Sequence, residues 1–480
     1  MKKLLFITLL AFLICSCNST TPNSGGQGSD PGGGQGLDPG TDPGTEDPKE
    51  LSNVLNEPYI GNQYYLNHIG DIYSVWGKYR GKGVTVAVID KAFHAYHEDF
   101  YDEKGELQIS TKSAAFINNN GTITTQVGVS YVNDLSDSHG TFCAGIVGAR
   151  TNKKGVVGIA PDCDLMLLKV DGKPKSIVEA FRYAADHGAK VITISIGSYY
   201  NYDGDLINDG SDLGQVFSSS LKYCHDKGVV VCSAAGNGGG DSSTVHEYTF
   251  PGACDYVIGC GGLAFNSNEN VWSGSSYNSS SSYQFVDIFA PSEKMFGCSN
   301  YTDNTGTYRQ YDGGWEGTSF SSPIVAGLAA LYFEKYPTRT VVEFEKDLYA
   351  SCHKLSNSSI GEVDQLGYGR VDAGKLLDEV NTQQVTLKVK SNYSSLNVYA
   401  WNSDLSKNKE LANWPGKQMN KSDGYFTYTF KLSDYDSLIF NNGSNQTIDI
   451  SASSFIYDNA YDITALKKEG NLIVGSYIEV

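Results

Sequence analysis

The chain has 480 residues, of which 54 are acidic and 36 are basic, so its formal net charge at neutral pH is −18. This excess of negative charge argues against a nucleic acid as partner, because the phosphate backbone would be repelled. The length suffices for one large domain and a smaller one.

The N-terminus combines an apolar run with two cysteines. MKKLLFITLLAFLICSCNST has two lysines, a short apolar stretch and then Cys15 and Cys17, which is typical of a secretory signal. It also resembles a bacterial lipoprotein signal. The resemblance implies that residues 1–16 are removed and that Cys17 is lipidated, with Cys15 as the second choice.

Residues 17–52 are mostly Gly, Pro, Ser, Thr and Asp. Such a segment cannot build a core and predicts a tether. No second apolar stretch is long enough to span a bilayer. We therefore expect a lipid-anchored protein of the bacterial cell envelope, on the periplasmic or cell-surface side, with the membrane contacted through the anchor alone.

Residues 53–381 alternate between strand and helix patterns. The apolar runs VTVAVI, DLMLLKV, VITISI and VVVCSAA are typical of parallel strands buried on both faces. SIVEAFRYAADHG and QVFSSSLKYCHDKG have helical spacing and end near glycines. The pattern predicts an α/β domain with a doubly wound, mostly parallel sheet and an active site at the C-terminal ends of the strands.

GTSFSSPIVAGLAALYF predicts a buried helix that begins near Ser319, because a proline is tolerated in the first helical turn. The free amides and the dipole at a helix start favour negative charge beside Ser319. Ser319 could cap this helix, since serine is a preferred N-cap. It could instead be a nucleophile, which requires a base and an orienting acid elsewhere.

Suitable partners follow other predicted elements. Asp90 directly follows VTVAVI, His139 opens HGTFCAGIVGA, and Asn237 follows VVVCSAAG. Together they form the parts of an acyl-transfer site that requires no cofactor. Asp90 would orient His139, which would deprotonate Ser319, while Asn237 and the Ser319 amide would stabilise the oxyanion.

Seven segments resemble the subtilisin-like serine proteases, or subtilases, in the order of that family: VTVAVID, HGTFCAGIVGA, GVVGIAPDCDLMLLKV, VITISIGS, GVVVCSAAGN, VDIFAP and GTSFSSPIVAG. The resemblance implies a subtilisin-like fold and a serine endopeptidase acting on protein or peptide substrates. It also implies a cleft in which the peptide pairs as an added strand, lined by Ser195, Ile196, Gly197, Ala235 and Gly236.

Four residues depart from the family pattern. Lys91 and Ala92 follow the acid where a small hydroxyl residue and a glycine are usual, which puts the orientation of Asp90 in doubt. Phe142 replaces a frequent second histidine and should change the wall of the cleft. Thr249 falls where relatives often carry glycine at the base of the primary specificity pocket, which implies a shallower pocket that fits large aromatic side chains poorly.

The resemblance also implies a structural calcium ion with Asp99 and Asn152 among its ligands, since oxygen ligands suit this ion. Zinc at HAYHED is disfavoured, because the spacing is not HEXXH and a third ligand is not evident.

Cysteines give weaker signals. Cys143 lies one helical turn from His139, and we favour an inert buried thiol over a reactive one. Export makes disulfides feasible, and Cys224 with Cys232 is one candidate pair among many.

Residues 382–480 change to short alternating strands, which predict a smaller all-β sandwich. NVYAWN, ANWPGKQM, GYFTYTF and IFNNGSNQT resemble carbohydrate-binding module family 26 and imply a starch-like α-glucan as partner. Aromatic faces and amides suit sugar rings, and the candidates are Tyr399, Trp401, Trp414, Asn442 and Gln446. We expect Trp414, in its WPG turn, to contribute before Trp401.

These patterns predict an exported, membrane-tethered serine endopeptidase with an accessory module that binds α-glucan. The alternative is a catalytically silent subtilase-fold lipoprotein that acts as a carbohydrate-binding surface protein. A glycosidase is disfavoured, because the β module has no convincing carboxylate pair. The tether leaves no folded inhibitory prosegment before the catalytic domain, so we expect folding without one.

Overall fold

The computed structural model describes residues 56–200, 213–239, 248–278, 284–302, 308–355, 365–377, 384–391, 393–401, 411–422, 424–431, 437–444, 450–451, 460–469 and 472–479. The predicted signal, Cys17 and the tether lie outside these residues. Within the described part of the chain, no helix is both long enough and apolar enough to cross a membrane.

Strands of the larger, N-terminal region are, in chain order, β1 (Thr85–Asp90), β2 (Ala114–Asn119), β3 (Thr122–Val127), β4 (Asp164–Lys169), β5 (Val191–Ile194), β6 (Ser198–Tyr200), β7 (Val230–Ala234), β8 (Tyr248–Phe250), β9 (Ile258–Leu263), β10 (Ile288–Pro291), β11 (Met295–Thr302) and β12 (Tyr308–Trp315). The helices are α1 (Ile72–Trp76), α2 (Val129–Val132), α3 (His139–Gly148), α4 (Pro174–Asp186), α5 (Leu213–Asp226), α6 (Ser321–Lys335), α7 (Val341–Ser351) and α8 (Ala373–Leu376). Short 3₁₀ turns cover Ile60–Asn62, Tyr64–His68, Glu98–Phe100 and Thr318–Phe320.

Eight strands form one central sheet in the order β10-β9-β7-β5-β1-β4-β2-β3. Its neighbours pair in parallel except the β2–β3 hairpin, which is antiparallel. Successive side chains of a strand face opposite sides of a sheet, and β1 follows this rule: Val86 and Val88 face one core, while Ala87 and Ile89 face another. The predicted mostly parallel sheet is confirmed.

Helices cover both faces of the sheet. α3 and α6 supply the first core, and α4 and α5 supply the second. α4 begins with Pro174 in its first turn, and glycines with positive φ follow α4 and α5 at Gly188 and Gly228, as is common at helix ends. The doubly wound α/β architecture is therefore confirmed.

The two faces of the sheet also exclude the candidate disulfide between Cys224 and Cys232. Cys224 belongs to the core beneath α4 and α5, whereas Cys232 belongs to the core beneath α3 and α6. The sheet separates the two thiols, so this pairing is wrong. All eight cysteines in the described part of the chain are free thiols.

The C-terminal region is built of strands: β13 (Gln384–Ser391), β14 (Asn397–Trp401), β15 (Lys417–Gln418), β16 (Asn420–Ser422), β17 (Tyr425–Lys431), β18 (Ser437–Asn441), β19 (Ile450–Ser451), β20 (Ala460–Glu469) and β21 (Leu472–Glu479). They form a five-stranded sheet, β16-β17-β13-β20-β21, and a four-stranded sheet, β15-β14-β18-β19. Pairing is antiparallel except between β13 and β20. The predicted all-β character is confirmed.

Candidate active site

Asp90 and His139 meet at the C-terminal end of β1. Asp90 is the last residue of this buried strand, and His139 is the first residue of α3. The His139 Nδ1 atom lies 2.8 Å from Asp90 Oδ2, so Nδ1–H donates to the carboxylate and Nε2 is left for other chemistry. The second carboxylate oxygen, Oδ1, accepts from the Lys91 amide at 2.7 Å. The lysine that follows Asp90 therefore does not turn it away from His139.

The glycine after His139 makes this approach possible. A Cβ on Gly140 would lie 2.3 Å from the Ala92 carbonyl oxygen and 2.8 Å from the Asp90 Cβ. Only glycine lets the start of α3 pack this closely on the end of β1.

The environment of His139 favours its protonated form. Burial lowers the pKa of the imidazole, but the charge and hydrogen bond of Asp90 outweigh this effect, and the resulting pKa lies above the usual value. Asp137 adds to the increase, while the Lys91 ammonium opposes it. The Asp90 side chain is 2% exposed and the His139 side chain 22%, so the acid is sequestered and the base faces the cavity.

Ser319 lies in the 3₁₀ turn Thr318–Phe320, directly before α6. The preceding Gly317 has φ +149°, a backbone conformation that favours glycine. The Ser319 hydroxyl donates to the Ser195 carbonyl at 3.1 Å, and the Ser195 hydroxyl donates to the Ser319 carbonyl at 2.7 Å. Ser319 therefore does not use its side chain as the helix cap.

Among the described residues, no hydrogen bond joins the Ser319 hydroxyl to His139. The hydroxyl must leave the Ser195 carbonyl before it can donate to the imidazole. Such a difference is common in serine nucleophiles without substrate, where the hydrogen bond to the base forms on binding.

The Asn237 amide is fixed by Thr318. Its Oδ1 accepts from the Thr318 amide and from the Thr318 hydroxyl, each at 2.9 Å. Because Oδ1 is the acceptor, the NH₂ group is assigned to the other side. The Thr318 hydroxyl also accepts from the Gly236 amide at 3.0 Å. Thr318 was not among the predicted site residues, although its place between Gly317 and Ser319 was a usable signal.

A cavity of about 330 Å³ opens beside Asp90 and His139 and is lined by Asp90, Lys91, Asp137, His139, Ser195, Ile196 and Trp315. Of the predicted cleft residues, Ser195 and Ile196 therefore line the same cavity as His139. Trp315, Lys91 and Asp137 were not predicted as lining residues. Phe142 is fully buried and packs against Trp315 with ring centroids 5.3 Å apart, so it supports the cavity wall from behind.

Cys143 lies next to the backbone of Ser319. Its Sγ is 3.5 Å from the Ser319 carbonyl oxygen, and the side chain is fully buried. Burial raises the pKa of this thiol well above its usual value, which is expected of an inert thiol.

The surroundings of Asn152 do not fit the calcium ion that the resemblance implied. Asn152 donates to the carbonyls of Glu98 and Tyr101 at 3.0 and 2.8 Å. The Lys153 and Gly155 amides donate to the Glu57 carboxylate at 2.8 and 3.3 Å. The loop thus presents N–H groups to an anion, whereas calcium requires converging oxygen atoms.

Both carboxylate oxygens of Asp99 also accept hydrogen bonds from other groups of the protein. Its Oδ2 accepts from the Val156 amide at 2.9 Å, and its Oδ1 accepts from the Tyr311 hydroxyl at 3.0 Å. Burial raises the pKa of Asp99 to about 7. The zinc ligands that HAYHED could suggest are also arranged differently, because Asp99 lies with His97 and Cys298 rather than with His94. The His97 Nδ1 atom accepts a hydrogen bond from the Asp99 amide.

In the C-terminal region, three aromatic side chains form a cluster on the four-stranded sheet. The Tyr399 ring lies 5.6 Å from Trp401 and 5.5 Å from Trp414, centroid to centroid. Trp414 is 50% exposed. Trp401, in β14, is half-buried.

A polar anchor holds the turn that carries Trp414. The buried Asn441 donates to the Pro415 carbonyl at 2.9 Å, and Gly416, with φ +95°, lies against the Val398 carbonyl. Asn442 lies next to this anchor, and its Oδ1 accepts from the Ser444 amide at 3.0 Å. Gln446 lies outside the described residues.

Fold and site together define a hydrolase of the serine type on an α/β scaffold, with a strand-end acid, a helix-start histidine and a helix-tip serine. Comparison with known proteins is specific. Residues 81–369 match the model of the subtilase family, and residues 385–452 match that of starch-binding module 26.

Individual relatives support the match to the subtilase family. Subtilisin DY of Bacillus licheniformis is 32% identical over 58% of this chain and 87% of its own sequence. Thermitase of Thermoactinomyces vulgaris is 29% identical over 58% of this chain and 84% of its own sequence.

Among solved structures, fervidolysin from Fervidobacterium pennivorans, a keratinolytic enzyme related to subtilisin, matches with a TM-score of 0.53 and 20% identity. The match covers 82% of this chain and 57% of that one. The epidermin leader peptide processing serine protease from Staphylococcus aureus matches with a TM-score of 0.55 and 22% identity over 68% of this chain and 82% of that one. These two likenesses concern the fold.

The chain belongs to the subtilase family of serine endopeptidases. It also carries a module of carbohydrate-binding family 26.

Proposed function

We propose that the chain is an exported, membrane-tethered endopeptidase that hydrolyses peptide bonds with Asp90, His139 and Ser319. The observation that carries the proposal is the 2.8 Å hydrogen bond between Asp90 and His139 at the wall of the cavity that Ser195 also lines. It leaves His139 Nε2 as the basic atom on the cavity side. The tether and the lipid anchor at Cys17 are supported by the sequence of the first 52 residues.

In the proposed reaction, His139 Nε2 takes the proton of the Ser319 hydroxyl while the Ser319 oxygen attacks the substrate carbonyl. The resulting oxyanion is stabilised by the Asn237 amide and the Ser319 backbone amide. His139 then gives its proton to the leaving amine, and the peptide bond breaks. Water, deprotonated by His139, hydrolyses the acyl-enzyme and restores Ser319.

Asp90 stays ionised throughout and stabilises the imidazolium that forms on His139. The serine must first leave the Ser195 carbonyl. A bound peptide that pairs with the segment from Ser195 to Gly197 would compete for that carbonyl and favour the turn of the hydroxyl toward His139.

Labelling with a fluorophosphonate probe tests this proposal. The wild-type chain should be labelled at Ser319 and should hydrolyse an unfolded protein such as casein, while Ser319→Ala should lose both. Ser321→Ala is a matched control, because Ser321 lies two residues on and donates to the Ala290 carbonyl away from the cavity. A folded wild-type chain without labelling would instead support the silent lipoprotein.

We further propose that the C-terminal module binds starch-like α-glucan through Tyr399, Trp401 and Trp414, with Asn442 and Gln446 as polar candidates. Flat aromatic faces stack on the apolar faces of sugar rings, and a half-exposed tryptophan on an anchored turn suits this task. Retention of the full chain on insoluble starch, with release by maltooligosaccharides and not by cello-oligosaccharides, tests the proposal.

A further inference from the structure

The two edges of the central sheet differ. At one edge, β10 is covered by a later segment of the chain. The Phe289 amide donates to the Gly369 carbonyl at 2.8 Å, and the Val371 amide donates to the Phe289 carbonyl at 3.1 Å. β10 is buried and ends at Pro291, a residue that cannot donate to a further strand. This edge is therefore closed to another chain.

The opposite edge is β3. It pairs with β2 on one side, and on its other side no strand pairs with it in the part of the chain that the structure describes. Its sequence is TITTQV, in which every residue except Gln126 is β-branched and none is charged. Such residues favour strands. β3 thus lacks the charges and prolines with which natural edge strands avoid pairing.

One hydrogen bond fixes the direction of the backbone groups of β3. The Gly128 amide donates to the Ser113 carbonyl at 2.7 Å, and in an antiparallel ladder hydrogen-bonded and non-hydrogen-bonded pairs alternate. The residues two, four and six positions before Gly128 therefore bond to β2 as well. The residues between them direct their N–H and C=O groups away from the sheet: Ile123, Thr125 and Val127. No other described backbone segment bonds to these outward groups.

The outward residues are accessible. Thr125 is exposed, Ile123 is half-buried and Val127 is 52% exposed. Their side chains lie on the face of the sheet that α4 covers, because Thr125 and Val127 are paired with Phe116 and Ala114, which belong to the core beneath α4 and α5. An added strand would extend this apolar face.

We propose that a second copy of this chain adds its β3 to this edge, antiparallel and across a two-fold axis at Thr125. The two eight-stranded sheets would then form one continuous sheet. This inference does not depend on the proposed function.

The pattern of β3 favours a second copy as the added strand. Antiparallel pairing about Thr125 places Thr125 opposite the partner's Thr125 and Ile123 opposite the partner's Val127, so each outward residue meets an outward residue and apolar side chains meet. Two copies with a net charge of −18 each repel one another. A contact between them therefore requires a surface without like charges, and β3 is such a surface. The pairing also leaves neither copy with an open edge at β3.

Sedimentation equilibrium of the full chain tests the inference. Ser319→Ala prevents self-digestion, and Cys17→Ala excludes a lipid anchor as the cause of association. Over a concentration range of about 1 to 100 μM, this double variant should approach twice the mass of one chain. The mass of a single chain throughout the range would overturn the inference.

Charges placed on the axis test the register in the same background. Thr125→Lys sets two ammonium groups opposite each other and should weaken the dimer at least about tenfold. Thr125→Glu should weaken it similarly, while an equimolar mixture of the two variants should restore a dimer of mixed composition. Thr125→Val keeps a β-branched, uncharged side chain and should keep the dimer.

Thr122→Lys is the matched control, because it adds the same charge to another exposed threonine of β3. In the proposed register the two copies of residue 122 lie roughly 20 Å apart, so this variant should remain a dimer. Far-UV circular dichroism checks that each variant is folded.

Two results with folded variants would overturn the inference. A dimer that survives in both Thr125→Lys and Thr125→Glu would place the contact elsewhere, and a mixture of these variants that stays monomeric would exclude the axis at Thr125. A monomeric chain that captures an extended segment of another protein at β3 would overturn it too. Fluorophosphonate labelling of wild-type Ser319 is independent of all these outcomes, so the proposed function is tested separately.

Discussion

Ser195 and Ser319 exchange hydrogen bonds, each hydroxyl donating to the other residue's carbonyl, at 2.7 Å from Ser195 and 3.1 Å from Ser319. Ser195 follows β5 and Ser319 precedes α6, so the pair joins the sheet to the turn that carries the nucleophile. The Ser195 hydroxyl orders the Ser319 backbone, while the Ser195 carbonyl holds the Ser319 side chain away from His139.

We expect Ser195→Ala to slow labelling of Ser319 and to lower stability by about 1 kcal/mol, the usual net value of one hydrogen bond. Denaturant unfolding and labelling rates measure the two effects. Ser220→Ala is the control, because the buried Ser220 donates to the Phe217 carbonyl within α5. It should lose similar stability and keep the labelling rate; equal labelling in both variants would contradict a role for Ser195.

The Asn237 amide should act only when charge develops on the substrate oxygen. Asn237→Ala is therefore expected to lower kcat by about 10²- to 10³-fold with little change in KM, which is the magnitude known for the corresponding donor of subtilisin, a relative of this chain. Thr318→Val should cost less, because the Thr318 backbone amide still donates to Asn237 Oδ1. Thr318→Ser, which keeps the hydroxyl, should stay near wild type. A loss confined to KM would contradict the oxyanion role.

Activity should follow the titration of His139. The imidazole must be neutral to accept a proton, and its pKa lies above the usual 6.5. kcat/KM should therefore be lost as the pH falls through a value above 6.5. Lys91→Met removes a positive charge that lowers this pKa, so its profile should move to higher pH. Lys222→Met, at a lysine that does not line the cavity, should leave the profile in place; an unmoved Lys91→Met profile would show that the ammonium does not act on His139.

Calcium removal should not destabilise the protein. The Glu57 carboxylate, which is 2% exposed, accepts from the amides of Lys153 and Gly155 in the loop where the ion was expected. The Tm in EDTA should therefore equal the Tm with added calcium. Glu57→Gln should lower stability by roughly 1 to 3 kcal/mol, because it weakens two hydrogen bonds to a charged acceptor. A Tm that rises with calcium in the wild type would refute this.

Trp414 should contribute to glucan binding and not to folding. We expect Trp414→Ala to weaken starch binding severalfold to about tenfold, by analogy with the strength of aromatic pairs. The Tm and peptide hydrolysis should stay unchanged, since half of this side chain is exposed. Tyr131→Ala removes an equally exposed aromatic residue of the peptidase region and should leave starch binding intact. Unfolding of the Trp414→Ala module would instead make this tryptophan a structural residue.

Local patterns along the chain were enough to predict the fold class and the meeting of Asp90 with His139. Apolar runs buried on both faces require a parallel sheet covered by helices, and the ends of such strands gather at one edge. The end of VTVAVI at Asp90 and the start of a small-residue helix at His139 therefore predicted their meeting. The departure at Lys91 did not disturb it, because the Lys91 amide donates to Asp90 Oδ1 and leaves Oδ2 to His139.

The directions of individual groups, in contrast, were set by the folded chain. The hydroxyl of Ser319 binds the Ser195 carbonyl, and the loop at Asn152 turns amides rather than carbonyls toward Glu57. The Thr249 hydroxyl has no partner in the part of the chain that the structure describes. Each depends on contacts between segments 50 or more residues apart or on a single side-chain torsion, and neither is encoded in local periodicity. Cys224 and Cys232 are eight positions apart in the chain, yet the sheet lies between them, because which face a side chain occupies is settled by the register of the folded strands.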